Sequence, residues 1–117
     1  MPLDRCDPES GLLVRLKALA DPTRLAILDL LMEGVQCNCE IAERLDLSLS
    51  LISHHMRSLR EARLIEFEHD PMDARWVYYR VDPEALHDFR AALDNLLDVE
   101  RIQPRQPSCG PKPCERF

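Results

Sequence analysis

The chain of 117 residues has only three glycines, and it lacks a glycine-rich loop of the kind that holds phosphates. It also lacks a nucleophile elbow and a pair of carboxylates arranged for acid–base catalysis. No apolar run approaches the roughly 20 residues that a membrane-spanning helix needs. The N-terminal residues do not have the basic and apolar segments of a secretory signal. We therefore expect a cytoplasmic protein that is not an enzyme and does not bind membranes.

Excess positive charge is missing too, because the formal net charge at pH 7 is −6. Such a balance is unusual for a protein that binds nucleic acid. The charge is uneven, however. Residues 48–63 contain three arginines against one glutamate, and His54 and His55 lie among them. Contact with DNA requires a local basic face rather than a basic protein, so DNA binding remains compatible with the acidic remainder.

The five cysteines are an odd number in a small chain without a secretory signal, which argues against a disulfide framework. Metal binding or thiol redox chemistry is the better explanation. Cys37 and Cys39 are the most informative pair, because only Asn38 separates them. Thiolates select soft ions such as zinc, cadmium, lead and trivalent arsenic. The remaining thiols are Cys6, Cys109 and Cys114.

Local signals predict five helices and one β-hairpin. A capping aspartate followed by proline marks three helix starts, at Asp7-Pro8, Asp21-Pro22 and Asp82-Pro83. The first of these helices is predicted to run to about Ala20, and Gly34 ends the second. Residues 64–69 and 76–81 are rich in β-formers and flank a turn, which predicts a hairpin.

A short helix, a tight turn and a polar helix lie between the second helix and the hairpin. Asn38 is the candidate cap of the short helix, and Ser48 or Ser50 caps the polar one. This order is typical of a helix-turn-helix. The polar helix should turn Ile52, Met56 and Leu59 to the core and leave four side chains outside, namely His54, His55, Arg57 and Ser58. We expect residues 1–103 to form one domain and residues 104–117, with four prolines, a non-helical tail.

Four segments in this order resemble a known family. They are LADPTRLAIL at 19–28, VQCNCEIA at 35–42, SLSLISHHMRSLREARLI at 48–65 and WVYYR at 76–80. Together they are similar to the ArsR/SmtB family of winged-helix metalloregulatory repressors, in its thiolate-sensing branch. The resemblance covers about residues 12–100. It implies a mainly α, winged helix-turn-helix fold with a small β-hairpin as the wing, and a homodimer.

The resemblance also implies that the homodimer binds double-stranded operator DNA and releases it when an inducer binds. The helix start and the wing tip supply contacts to phosphates and the minor groove, and the outer face of the polar helix supplies contacts to base edges. The candidate DNA-binding residues are Ser48, Ser50, Ser53, His54, His55, Arg57 and Arg75.

The chain departs from the family pattern at several positions. Arg63 stands where the family usually has glycine after the recognition helix, so this turn is expected to be strained or closed differently. Ala74 replaces the usual glycine of the wing. The family's zinc site on the last helix is not intact, since only His87 and Asp98 lie near its register.

The identity of the inducer depends on the number of thiolates that reach one ion. Arsenic(III) prefers three sulfurs, whereas cadmium and zinc prefer four ligands. Cys37 and Cys39 provide two metal ligands, and Cys6, Cys109 and Cys114 are the candidates for the rest. We favour a repressor released by arsenic(III) or antimony(III). The alternatives are a repressor that responds to Cd(II), Pb(II) or Zn(II), and one that senses thiol oxidation or reactive sulfur.

Overall fold

The computed structural model describes residues 11–111, which contain five α-helices and a small antiparallel sheet. Before the sheet's hairpin come α1 (Leu12–Leu19), α2 (Pro22–Leu31), β1 (Gln36–Cys37), α3 (Asn38–Leu45) and α4 (Leu49–Glu61). After α4 come β2 (Ile65–His69), β3 (Val77–Val81) and α5 (Pro83–Leu96). The predicted mainly α fold with a winged helix-turn-helix is confirmed. No helix within residues 11–111 has the length and apolar character to span a membrane.

Side-chain caps begin the helices where the sequence predicted them. The Asp21 carboxylate accepts a hydrogen bond from the backbone N–H of Arg24 at 3.0 Å, at the start of α2. The hydroxyl of Ser48 accepts one from the N–H of Leu51 at 3.1 Å, so Ser48 rather than Ser50 caps α4. Asp82 caps α5 in the same way. Each cap satisfies amide groups that a helix leaves unpaired in its first turn.

Two helix starts differ from the prediction. Gly11, with a positive φ of 65°, precedes α1, so this helix begins later than predicted, and Asp7 and Pro8 lie outside the described residues. The cap of α3 is Cys37, not Asn38. A cap residue needs extended backbone, and Cys37 has it (φ −87°, ψ 160°) because it belongs to β1. Asn38 is then the first helical residue.

The sheet has three strands in the order β1–β3–β2. The pairing of β2 with β3, from Ile65 opposite Val81 to His69 opposite Val77, forms the predicted hairpin. The sequence did not predict β1, in which Gln36 and Cys37 pair with Tyr79 and Tyr78. A strand of two residues has no recognisable alternation, and only the third dimension brings it beside β3.

The core lies between the five helices and the sheet. The largest fully buried side chains are Ile27, Ile41, Ile52, Met56, Leu59 and Leu64. The inward face predicted for α4 is therefore confirmed. At the other end of α4, the guanidinium of buried Arg15 donates to the carbonyl oxygen of Ala62 at 3.0 Å. These contacts hold α4 firmly while its polar face stays in solvent.

The chain after α5 makes a short 3₁₀ turn at Val99–Arg101 and then continues without regular structure to residue 111. The non-helical tail predicted from the prolines is confirmed for residues 104–111. Residues 112–117, which include Cys114, lie outside the described part of the chain.

Candidate metal and nucleic-acid sites

The outer face of α4 presents a polar surface suited to a DNA groove. Four of the predicted contact residues on this helix, Ser50, Ser53, His54 and Arg57, are exposed, and so is its cap, Ser48. The backbone amides of the first turn also point outward beyond the cap. Such a helix start favours negatively charged phosphate oxygens, and the side chains behind it reach base edges.

His55 is the exception, because it is buried with only 9% of its surface exposed. Its Nδ1 lies 3.2 Å from the Nη1 of Arg24 and 3.9 Å from the Oδ2 of Asp21. Arginine can only donate, so Nδ1 accepts and the ring proton lies on Nε2. The prediction that His55 faces outward is wrong. Position 55 falls on the same helix face as Ile52, Met56 and Leu59, and an arginine from α2 satisfies its ring.

Arg24 also joins α1 to this cluster, since its Nε donates to the carbonyl oxygen of Ala18 near the end of α1. The negative charge of Asp21 is stabilised there. The hydrogen bond from the backbone N–H of Arg24 lowers the pKa of Asp21 most, and the positive charge of the Arg24 guanidinium lowers it further. This cluster orients α4 against α1 and α2.

Two apolar residues at the start of α4 were not among the contact residues predicted from the sequence. Leu49 is 48% exposed and Leu51 is 39% exposed, beside the serines that begin the helix. Exposed leucines on a surface that faces a groove can contact thymine methyl groups. The sequence could have predicted their exposure, because both positions lie off the helix face formed by Ile52, Met56 and Leu59.

The wing tip holds Arg75 in an ion pair. Its guanidinium donates to both carboxylate oxygens of Asp73, with Nη2–Oδ2 at 2.7 Å and Nε–Oδ1 at 3.0 Å, while the side chain remains 88% exposed. This pairing lowers the pKa of Asp73 and raises that of Arg75. Arg75 stands at the predicted tip, where Asp73 accepts from its Nε and Nη2.

A second carboxylate organises the turn of the wing. Asp70 accepts hydrogen bonds from the backbone N–H groups of Met72 and Asp73, and from the hydroxyl of Tyr78 at 2.6 Å. The bond from Tyr78 is the main reason that the pKa of Asp70 is lowered. The same bond, with burial and the nearby charges of Asp70 and Cys37, raises the pKa of Tyr78. Asp70 therefore links the turn to β3.

The thiol pair lies where β1 passes into α3. Cys37 is buried, its Sγ accepts from the backbone N–H of Glu40 at 3.4 Å, and its own N–H donates to the Glu40 carboxylate at 2.8 Å. This reciprocal arrangement is a capping box. Cys39 lies in the first turn of α3 and is exposed. The two thiols are only two positions apart in the chain but differ in environment.

Asn38, between the two cysteines, connects this site to the wing. Its side-chain oxygen accepts from the backbone N–H of Val77 at 3.3 Å, and its amide donates to the carbonyl oxygen of Arg75 at 3.5 Å. The pairing of Cys37 with Tyr78 adds a second connection. The sequence did not reveal this connection, because the partners lie nearly forty positions away.

The described residues do not assemble a complete ion site by themselves. Within residues 11–111, no group of three or more His, Cys, Asp and Glu side chains is placed to hold one metal ion. Cys109 is exposed on the tail. Cys6 and Cys114, which are the other predicted ligands, lie outside the described range.

Comparison with known proteins gives a family match over the helix-turn-helix. The family model described as "Bacterial regulatory protein, arsR family" matches residues 21–66. This range contains α2, the thiol pair and the whole of α4.

Two similar proteins are regulators by name. "Arsenic resistance transcriptional regulator ArsR1" of Pseudomonas putida is 38% identical over 86 residues, which is 73% of this chain and 65% of that protein. "Transcriptional repressor SdpR" of Bacillus subtilis is 39% identical over 62% of this chain and 77% of its own length. The match therefore spans slightly less than two thirds of the Pseudomonas protein.

A solved structure has the same fold. It is described as a possible transcriptional regulator for arsenical resistance, and it superposes with a TM-score of 0.63 at 36% identity. The superposition covers 74% of this chain and 88% of that one. The similarity thus extends beyond residues 21–66.

Proposed function

The chain belongs to the ArsR family of bacterial transcriptional regulators, a family of DNA-binding proteins rather than enzymes, and from this premise we propose a specific activity. It is a dimeric repressor that binds operator DNA and releases it when arsenic(III) binds to cysteine thiolates. Antimony(III), which has similar chemistry, is expected to act in the same way.

One observation carries the proposal: two thiols begin α3, and α3 packs directly against the recognition helix α4. Thiolates on Cys37 and Cys39 favour a soft ion. An ion held by both sulfurs must alter the first turn of α3, because the buried sulfur of Cys37 caps that turn whereas Cys39 is exposed. The bound state then differs from the free state in the support it gives to α4, which is what an inducer requires.

The contact with DNA is assigned to the exposed face of α4 and to the wing. Ser48, Ser50 and the first-turn amides bind phosphates, while Ser53, His54 and Arg57 contact base edges. Arg75 binds the minor groove or its phosphates after leaving Asp73. His55 is excluded, because it is buried against Arg24.

Binding of arsenous acid to the thiols is an exchange of ligands. Each cysteine forms one As–S bond as one As–O bond breaks, and the thiol proton leaves with the hydroxide as water. Neither arsenic nor sulfur changes its oxidation state. Buried Cys37 must become accessible for this step, so the turn between β1 and α3 opens as the ion binds.

The third sulfur is assigned to a cysteine outside α3. Cys109 and Cys114 lie on the tail that we assign to residues 104–117, and Cys6 lies near the N-terminal end of the domain that we assign to residues 1–103. Residues 104–111 have no regular structure, which allows this segment to fold back to α3 of the same chain or of the second subunit. The names of the Pseudomonas regulator and of the solved structure favour arsenic over the alternatives Cd(II), Pb(II) and Zn(II).

The test is fluorescence anisotropy of the reduced protein on the DNA upstream of its own gene, titrated with arsenite, cadmium and zinc. We expect nanomolar binding that arsenite weakens by at least tenfold. Cys37→Ser and Cys39→Ser should bind DNA normally but ignore arsenite. Serine is a preferred helix cap, so Cys37→Ser preserves the fold.

Each variant separates one part of the proposal. Cys109→Ser loses the response only if the tail supplies the third sulfur, and Arg57→Ala should bind DNA weakly but still bind arsenite. If cadmium released the DNA and arsenite did not, cadmium rather than arsenic would be the inducer. Release by arsenite in both Cys37→Ser and Cys39→Ser would overturn the thiol site.

A further inference from the structure

We propose that Asn38 is a positioning residue that transmits ion binding at the thiol pair to the wing. This inference rests on the proposed function and adds a route for its regulation. The route through α3 and α4 changes the recognition helix, whereas the route through Asn38 changes Arg75 and the strand behind it.

The first step is the contact that Asn38 makes across the sheet. Its Oδ1 lies 3.3 Å from the backbone nitrogen of Val77, and its Nδ2 lies 3.5 Å from the carbonyl oxygen of Arg75. These two groups belong to Val77, the first residue of β3, and to Arg75, two positions before it. Asn38 therefore joins the start of α3 to the point where the wing returns to the sheet.

The second step is the movement that an ion imposes on Asn38. Cys37 lies in extended backbone and is 8% exposed, whereas Cys39 lies in the helix and is exposed. Bringing their sulfurs to one ion requires rotation of the backbone between them, and the only residue between them is Asn38. Rotation of this backbone carries its side chain away from β3.

The third step is the consequence at the wing tip. The backbone of the tip is held by bonds between Asp70 and Trp76 and between Trp76 and Asp73, and the side chain of Arg75 is held by Asp73. Asn38 adds a hydrogen bond that joins the backbone of Arg75 to the start of α3. Its loss lets the tip move as a unit, so that Arg75 no longer stays in register with the groove that α4 occupies.

The experiment measures coupling rather than affinity alone. Asn38→Ala is compared with the native protein in three quantities: arsenite affinity from sulfur–arsenic absorbance, DNA affinity without arsenite, and DNA affinity with saturating arsenite. For Asn38→Ala we expect an arsenite affinity within about twofold of native. The factor by which arsenite weakens DNA binding should be about fivefold smaller than in the native protein, which is in the usual range of coupling between sites. Asn95→Ala, an exposed asparagine on α5, serves as the matched control and should behave as native.

Three further measurements guard against a purely structural effect. Asn38→Asp keeps the acceptor for Val77 but removes the donor to Arg75, and it should show intermediate coupling with native thermal stability. In the native protein without DNA, saturating arsenite should accelerate amide exchange at Val77. Arg75→Ala should lower the coupling as much as Asn38→Ala, and the double variant should lower it no further.

The outcomes test the role of Asn38 separately from the proposed function as an arsenic-responsive repressor. Native coupling in Asn38→Ala, or unchanged exchange at Val77 when arsenite is bound, overturns the role of Asn38 and leaves the arsenic-responsive repressor intact. If arsenite binds neither Cys37 nor Cys39 in the native protein, the proposed inducer and the route through Asn38 both fail.

Discussion

The consecutive residues His54 and His55 show how strongly burial separates side chains of the same type. His54 is exposed on the polar face of α4, whereas His55 is buried and accepts a hydrogen bond from Arg24. Their rings remain in edge contact, with centroids 5.5 Å apart. One histidine is available to DNA and the other holds the recognition helix against α2.

Replacement of these two histidines should therefore affect different properties, namely stability for His55 and DNA affinity for His54. His55→Ala is expected to lower the free energy of unfolding by about 1–3 kcal/mol, because it removes a buried acceptor and leaves the Arg24 donor without its partner. His54→Ala should change stability by less than about 0.5 kcal/mol, as is usual at an exposed site, yet weaken DNA binding several-fold. Urea denaturation and anisotropy on the same two proteins test both statements. Equal losses of stability would contradict the burial of His55.

At the residue scale, the polarity of the outer face of α4 was predictable, but the burial of His55 was not. Helical spacing places His55 at the border between the core face and the polar face. Whether His55 is buried depends on the neighbouring α2, because Arg24 supplies the hydrogen-bond donor that a buried imidazole needs. The same reasoning applies to Arg15, which is buried because the carbonyl oxygen of Ala62 accepts from it.

At the scale of single elements, two helices end in left-handed backbone without glycine. Asp46 follows α3 with φ 56°, and Arg63 follows α4 with φ 60°. Aspartate tolerates this conformation better than arginine does, because its short side chain bonds locally. The prediction of strain at Arg63 is thus confirmed, with the turn closed by a residue that rarely adopts this backbone.

Arg63→Gly is expected to stabilise the protein. Relief of the left-handed strain is worth about 1–2 kcal/mol, and the added freedom of the unfolded chain costs about 0.5–1 kcal/mol, so the net gain is about 0–1.5 kcal/mol. The matched variant Asp46→Gly should gain less. Chemical denaturation of both reduced proteins measures the difference. A loss of stability in Arg63→Gly would mean that the exposed arginine side chain contributes more than its backbone costs.

For the whole molecule, the main feature is apolar surface left uncovered at both ends of the helical domain. Leu13, Val14 and Leu16 on α1 are each more than a third exposed. After the last turns of α5, Leu97, Val99 and Ile102 are 68–75% exposed. Helix α1 also contacts α5. Large exposed apolar patches usually mark interfaces, which agrees with the predicted two-fold dimer.

Leu97→Glu is expected to convert a dimer into a monomer without unfolding it, because the side chain is already exposed in one subunit. Affinity for a palindrome of two half-sites should then fall by at least tenfold, since each subunit binds one half-site. Sedimentation velocity at micromolar concentration measures the dissociation. Met72→Glu, at a wing residue that is 92% exposed, is the control and should remain dimeric. A dimeric Leu97→Glu would locate the interface elsewhere.

The sequence by itself determined the order of the elements, most helix starts, the hairpin, the inward face of α4 and the family. These features depend on caps, prolines and hydrophobic spacing, which act over a few residues and are legible in the chain. Asp21, Ser48 and Asp82 are the clearest cases, since each caps the helix that follows it.

Only the tertiary structure decided the features that join distant parts of the chain. Strand β1 exists because β3 lies beside it, and this pairing gives Cys37 the extended backbone that makes it the cap of α3. The bond from Asn38 to Val77 and the burial of His55 against Arg24 likewise join positions more than thirty residues apart. Such contacts leave no local pattern, because they arise from packing rather than from the preferences of neighbouring residues.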